Sequence, residues 1–163
     1  MPLTTSPTAA VTAALALAAT AGIAGVPNGL WPVDDPRVTS GFRPPAHSWE
    51  HGHRGVDLAA STGDEVLAVM PGVVTVAGTI AGKPVVAVAL PGDSRSRVTY
   101  EPVVARLRVG TEVRAGEVLG VLAATGGHCG GTAGCLHLGL RTPTGYRDPL
   151  TLIERVPAVL KPG

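Results

Sequence analysis

Short valine-rich runs separated by glycine and proline constrain the fold of this 163-residue chain more than any other feature. The chain contains 22 glycines and 15 prolines, and they fall between the apolar runs rather than in a repeat. Such residues supply the turns that reverse a chain between antiparallel strands. We therefore predict an all-β fold, an antiparallel β-sandwich or open barrel of short strands. The predicted strands are residues 38–43, 65–69, 73–79, 85–90, 98–104, 118–122 and 135–141.

Composition excludes some classes of partner. The formal net charge is +1, and the chain has only two tryptophans, two tyrosines and one phenylalanine. Nucleic-acid binding relies on clustered positive charge and often on aromatic rings that stack on bases. We therefore predict no nucleic-acid partner. The apolar fraction of 45% is sufficient for the core of one domain.

Residues 51–60, His-Gly-His-Arg-Gly-Val-Asp-Leu-Ala-Ala, place metal-binding side chains beside glycines. In an extended segment side chains alternate between faces, so His53 and Asp57 lie on the same side. Gly55 lies between them, and the absence of a β-carbon there leaves room for a metal ion with bonds of about 2.0 to 2.2 Å to its ligands. Imidazole nitrogen and carboxylate oxygen are both ligands of zinc. His51 lies on the same side of the extended segment, so it is either an alternative ligand or a residue that supports the ligands without binding the metal.

A third ligand is predicted in residues 135–141, Cys-Leu-His-Leu-Gly-Leu-Arg. Its alternating leucines indicate a strand with one buried face, which leaves His137 on the other face. Taken alone, His137 would be an ordinary strand histidine and Asp57 a turn cap. Taken together, the two segments predict a Zn²⁺ site formed by His53, Asp57 and His137.

Three motifs together resemble the lysostaphin-type (M23) zinc metallopeptidases. They are His-Arg-Gly-Val-Asp-Leu-Ala at 53–59, Val-Arg-Ala-Gly-Glu-Val-Leu-Gly at 113–120 and Leu-His-Leu at 136–138. The resemblance extends over about residues 38–153. In that family a His-x-x-x-Asp pair and the second histidine of His-x-His bind zinc, which again implies His53, Asp57 and His137. The family cuts peptide bonds in peptidoglycan, so the resemblance implies a zinc endopeptidase with peptidoglycan as its partner.

The chain departs from the family pattern at both histidines that usually handle protons. Cys135 stands where the family has the first histidine of His-x-His, and Pro102 stands in the Tyr-x-His-Leu segment. The variant resembles an actinobacterial branch with Gly-His-Cys and Cys-Leu-His motifs. Two hypotheses follow: an active endopeptidase, or a catalytically degenerate module that binds peptidoglycan or activates another cell-wall hydrolase.

The two cysteines, Cys129 and Cys135, bound a glycine-rich loop. In an exported protein we predict a disulfide between them, because oxidising compartments favour disulfides. That bond would tether His128 near the metal, so His128 is the predicted catalytic proton carrier, with His51 and Glu101 as alternatives. If Cys135 is reduced, its thiolate would instead be a fourth zinc ligand in a closed structural site.

The N-terminal segment predicts export, and the rest of the chain is predicted to form a leader, one β domain and a tail. Residues 1–24 are predicted to be a signal peptide, because an apolar stretch rich in alanine ends near small residues, although no lysine or arginine precedes Arg37. If uncleaved, the segment would be an N-terminal membrane anchor. Residues 25–37 form a predicted proline-rich leader, 38–155 the β domain and 156–163 a tail. A short helix is predicted to begin after Asp148 and run to about residue 154. The expected location is secreted or in the cell envelope.

Overall fold

The computed structural model describes residues 29–47, 49–125 and 134–153, and nearly all of its regular structure is antiparallel β-sheet. The predicted signal peptide and tail lie outside the described residues, as do His128 and Cys129. The strands are β1 (Val38–Ser40), β2 (Gly55–Ala59), β3 (Glu65–Leu67), β4 (Gly72–Ile80), β5 (Lys83–Leu90), β6 (Asp93–Glu101), β7 (Val103–Ala105), β8 (Glu112–Val113), β9 (Val118–Leu122), β10 (Cys135–Thr142) and β11 (Gly145–Arg147).

The strands form two sheets. The larger has the order β1-β2-β10-β6-β5-β4-β8, with β11 paired to β10, and the smaller has the order β3-β9-β7. Every pairing within these sheets is antiparallel. The all-β prediction is therefore confirmed. The predicted short C-terminal helix is a 3₁₀ helix, Pro149–Leu152, in which the Asp148 side chain accepts a hydrogen bond of 2.9 Å from the Leu150 amide.

Turn residues account for the tight hairpins. Gly82 lies between β4 and β5 with φ of +80°, and Gly92 lies between β5 and β6 with φ of +81°. A positive φ is accessible to glycine at little steric cost. These glycines therefore allow three long strands to follow one another as neighbours in the large sheet.

One core lies between the two sheets. Alternation places one face of β10 in this core, where Leu136 and Leu138 are fully buried while His137 is partly exposed. Burial of one such leucine contributes about 1.5 to 3 kcal/mol. Tyr100 is also fully buried, and its hydroxyl accepts a hydrogen bond of 2.9 Å from the Val69 amide. Burial raises the pKa of Tyr100 above its ordinary value, because the phenolate would lose its hydration.

The run at 98–104 is two strands instead of the single predicted one. Glu101 ends β6 in the large sheet, Pro102 follows, and Val103 begins β7 in the small sheet. Proline has no amide hydrogen to donate to a sheet, so it marks the place where the chain changes sheets. The two-residue strand β8 and the strand β11 carry too short an apolar pattern to be predicted.

Part of the predicted leader packs on the domain. The Gly29 amide donates to the Leu152 carbonyl at 2.6 Å, and the Leu30 amide donates to the Val69 carbonyl at 2.8 Å. Val33 is buried in the core. No helix in the described part of the chain is long and apolar enough to cross a membrane.

Candidate metal centre and groove

The pairing of β2 with β10 brings two of the predicted ligands together. His137 lies directly opposite Asp57 in the register of these antiparallel strands. Directly opposite residues project from the same face of a sheet, here the face away from the core. The His137 Nδ1 atom lies 2.8 Å from Asp57 Oδ1. Two segments 80 residues apart in sequence therefore meet at one point.

His53 reaches the same point from the segment before β2. Its backbone pairs with Arg43 in an isolated antiparallel bridge. Its Nε2 atom lies 3.1 Å from Asp57 Oδ1 and 3.2 Å from His137 Nδ1. Within the described residues, His53, Asp57 and His137 form the group of potential metal ligands, with all three ligand atoms within 4.8 Å of one another.

The orientation of the His53 ring is set by the backbone. Its Nδ1 atom lies 2.7 Å from the Gly41 carbonyl oxygen, which can only accept a hydrogen bond, so Nδ1 carries the proton. In the neutral ring the lone pair is then on Nε2, the atom that faces Asp57 and His137. Metal-binding histidines commonly donate their second N–H to a carbonyl or carboxylate in this manner.

Gly55 is required for the approach of His137. A β-carbon at this position would lie 2.7 Å from His137 Nε2 and would also collide with the Leu138 carbonyl oxygen. The space left by this glycine is therefore occupied by the imidazole ring of His137. We predicted that this space would hold the metal ion, and the imidazole ring of His137 fills it instead.

The three side chains fit a zinc ion. Two imidazole nitrogens and a carboxylate oxygen are the ligand types of catalytic zinc sites. Tetrahedral zinc with bonds of about 2.0 to 2.1 Å separates its ligand atoms by about 3.3 to 3.4 Å. The observed separations of 2.8, 3.1 and 3.2 Å need to widen by at most about 0.6 Å to reach these values. Asp57 is 5% exposed, so an opposite charge beside it would offset the cost of burying a carboxylate.

The remaining predicted residues have different positions. His51 is exposed and is not part of the potential ligand group. Cys135 is buried at the start of β10 and is also outside that group, which gives no support to a thiolate ligand. Because His128 and Cys129 lie outside the described residues, the proton carrier and the Cys129–Cys135 disulfide stay predictions.

Glu101 occupies a more central position than its sequence context indicated. It lies directly opposite His137, on the neighbouring strand β6. Its Oε1 atom accepts a hydrogen bond of 2.7 Å from Lys83 Nζ. The parity of β6 relative to the buried Tyr100 places Glu101 on the outer face, but sequence alone does not indicate which strand neighbours β10.

Two cavities adjoin the three side chains. One, of about 530 Å³, is lined by His53 and His137 together with Lys83, Arg97, Glu101 and Arg141. The other, of about 680 Å³, is lined by His53 and Asp57 together with Arg43 and His51. An extended ligand in both cavities would pass over the three potential ligands.

The sequence matches a family model and several proteins. The family is Peptidase family M23, matched by residues 51–149. The uncharacterized protein Rv2891 of Mycobacterium tuberculosis is 45% identical over 138 residues, which cover 81% of this chain and 54% of that protein. The uncharacterized protein Mb2915 of Mycobacterium bovis has the same identity and coverage. The chain thus spans about half the length of the curated relatives it matches.

Solved structures share the fold. Csd3 of Helicobacter pylori superposes with a TM-score of 0.61 at 27% identity, covering 77% of this chain and 34% of that one. The catalytic domain of the antimicrobial peptidase lysostaphin from Staphylococcus simulans gives 0.58 at 24% identity, covering 71% and 90%. A chain of the SpoIIQ–SpoIIIAH pore-forming complex gives 0.62 at 18% identity, covering 79% and 92%.

Proposed function

Because this chain belongs to peptidase family M23, we propose that it is an exported zinc endopeptidase that cuts peptide bonds in peptidoglycan. The observation that carries the proposal is the convergence of His53 Nε2, Asp57 Oδ1 and His137 Nδ1 within 3.2 Å of one another. Export is part of the proposal, since peptidoglycan lies outside the cytoplasm and residues 1–24 are predicted to be a signal peptide.

Three residues of the chain would hold the ion. His53 and His137 supply neutral nitrogens, and Asp57 supplies the negative charge that partly neutralises a divalent cation. The Gly41 carbonyl would keep the His53 ring in its binding orientation. Bound zinc with three protein ligands polarises a peptide carbonyl and lowers the pKa of water from 15.7 to about 7.

Proton transfer needs a further group. His128 is the proposed carrier, because the proposed disulfide would hold its loop near β10. Glu101 is the alternative among the described residues, since it lies opposite His137 and lines the same cavity. The contact with Lys83 restrains the Glu101 carboxylate, which favours a defined position for proton transfer.

A second candidate function is a binding or activating module. Cys135 and Pro102 occupy the two positions where the family usually has proton-handling histidines, which favours loss of catalysis. A chain of the SpoIIQ–SpoIIIAH pore-forming complex has the same fold, which is consistent with use of this fold in assembly. The retained convergence of three potential ligands is the reason to place the enzyme first.

Incubation of the purified, zinc-loaded chain with peptidoglycan tests the proposal. Mass spectrometry of the soluble products should show new peptide fragments with the wild type and none with Asp57→Ala. If the wild type releases no fragment but sediments with peptidoglycan, the binding module replaces the enzyme. Release of the same fragments by Asp57→Ala would show that the activity does not come from this site.

A further inference from the structure

Two arginines lie side by side on neighbouring strands in the groove, the name used here for the 530 Å³ cavity beside His53 and His137. Arg97 on β6 and Arg141 on β10 are directly paired in the strand register, and both line the 530 Å³ cavity. Like charges directly opposite each other destabilise a sheet. Within the residues that the structure describes, neither arginine makes an ion pair. The pair therefore opposes folding, which indicates a role in binding an anion.

The Tyr146 ring contacts the guanidinium groups of Arg141, one member of this pair, and of Arg54. The guanidinium carbon of Arg141 lies 5.5 Å from the centre of the Tyr146 ring, and that of Arg54 lies 5.6 Å from it. Cations at this distance from an aromatic ring are attracted to its face. Arg141 Nη1 also donates a hydrogen bond of 3.4 Å to the Tyr146 hydroxyl. Side chains restrained before a ligand arrives lose less entropy on binding.

The sheet between the potential zinc ligands and the arginines carries small side chains. Gly139, midway between His137 and Arg141 on β10, is paired with Gly55 on one side and with Thr99 on the other. No large side chain therefore projects from these three strands at this position. His137 and Arg141 are four positions apart along β10, which is about 13 Å in an extended strand. An extended peptide lying along β10 would span this distance with about four residues.

We propose that Arg97 and Arg141, assisted by Arg54, bind a carboxylate of a peptide substrate a few residues from the bond to be cut. The inference rests on the proposed function in taking a peptide as the ligand. The planar guanidinium group binds carboxylates through two parallel hydrogen bonds. The sole carboxylate that lines the described cavity is that of Glu101, and it contacts Lys83. The groove therefore selects peptides with free carboxylates over their amidated forms.

The test is a binding measurement with two peptides that differ only in whether their carboxyl groups are free or amidated. One is a fluorescently labelled peptidoglycan stem peptide with free carboxylates, and the other is the same peptide with carboxamides. Fluorescence anisotropy should give a Kd about 10-fold lower for the carboxylate form. The difference should disappear in Arg97→Gln and Arg141→Gln. It should persist in Arg106→Gln, which removes an equal charge that pairs with Glu65.

Thermal unfolding provides the check that the variants fold. Replacing one arginine of the pair by glutamine removes like-charge repulsion, so the Tm should be equal to that of the wild type or higher. Equal affinity of the wild type for the two peptides, including no measurable binding of either, overturns the proposal. A preference that survives in the Arg97→Gln, Arg141→Gln double variant also overturns it.

Hydrolysis, measured separately, distinguishes this inference from the proposed function. If the wild type prefers the carboxylate peptide but cuts no peptidoglycan, the carboxylate site stands and the proposed peptidase activity is wrong. If the wild type cuts peptidoglycan but binds both peptides equally, the proposed peptidase activity stands and the carboxylate site is wrong.

Discussion

The Nδ1 atom of His137 lies 2.8 Å from Oδ1 of Asp57, because these residues are directly paired on adjacent antiparallel strands. The contact is a consequence of sheet register and needs no flexible loop. Both side chains start from backbone held by ladder hydrogen bonds, and Asp57 is almost fully buried. A site built on strands in this way is restrained before any ion binds, which lowers the entropy cost of binding.

We expect each of His53→Ala, Asp57→Ala and His137→Ala to bind much less zinc than the wild type, because each change removes one of three ligands. Metal content after dialysis against dilute zinc measures the effect. His51→Ala is the matched control, since this exposed histidine is outside the ligand group and its loss should leave zinc bound. Full occupancy in all three variants would refute the assignment. A zinc–sulfur distance of about 2.3 Å by X-ray absorption would assign a cysteine instead.

Gly55→Ala should destabilise the domain and weaken zinc binding. The new β-carbon would lie 2.7 Å from His137 Nε2, so the imidazole or the backbone of β10 must shift. We expect the free energy of unfolding to fall by about 1 to 3 kcal/mol, as for other overpacked sites. Denaturant unfolding and zinc titration measure the two effects.

Gly78→Ala on β4 is the control for this substitution. A β-carbon there meets no atom within 4 Å, so the same change should alter stability by less than about 1 kcal/mol and leave zinc affinity unchanged. Equal stability and equal zinc affinity of Gly55→Ala and Gly78→Ala would contradict the described packing around His137.

If the chain hydrolyses peptidoglycan, His128→Ala should lower turnover about 10²- to 10⁴-fold while zinc stays bound. A positioned proton carrier contributes to the rate without holding the metal. Reduction of the proposed Cys129–Cys135 disulfide should reproduce part of this loss. Glu101→Gln is measured in parallel, with zinc content as the control. Wild-type turnover in His128→Ala together with a loss in Glu101→Gln would assign the proton transfer to Glu101.

Stability should fall steeply at alkaline pH because of Tyr100. Its pKa in the folded state is raised by burial above the ordinary value of 10.0. Below pH 10.0 the folded and the unfolded state both hold the phenolic proton, so Tyr100 makes its full contribution to the free energy of unfolding. As the pH rises above it, the unfolded state loses the phenolic proton while the folded state keeps it, so the free energy of unfolding falls by up to about 1.4 kcal/mol per pH unit.

Tyr100→Phe should therefore show a shallower alkaline loss than the wild type. At neutral pH it should be less stable by about 1 to 3 kcal/mol, because the buried Val69 amide loses its acceptor. Urea unfolding between pH 7 and 11 measures both effects. The control Tyr146→Phe removes a partly exposed phenol and should keep the steep loss. The same alkaline slope in Tyr100→Phe and the wild type would contradict this assignment.

Local pattern in the sequence determined the type of structure and the face on which each side chain lies. Alternating leucines in residues 135–141 predict a strand with His137 on its outer face, and the spacing of His53 and Asp57 places them on one side. Glycine and proline between the apolar runs predict the turns. These inferences hold because side-chain alternation and turn preference depend on neighbouring residues.

The tertiary structure alone decided which residues lie opposite one another. A shift of two residues between β2 and β10 would keep every side chain on the same face and place His137 opposite Gly55 or Ala59 instead of Asp57. Such a shift displaces a side chain by about 6.6 Å, which is enough to separate the ligands. Packing of both sheets around one core selects the register, and with it the pairing of Glu101 with His137 and of Arg97 with Arg141.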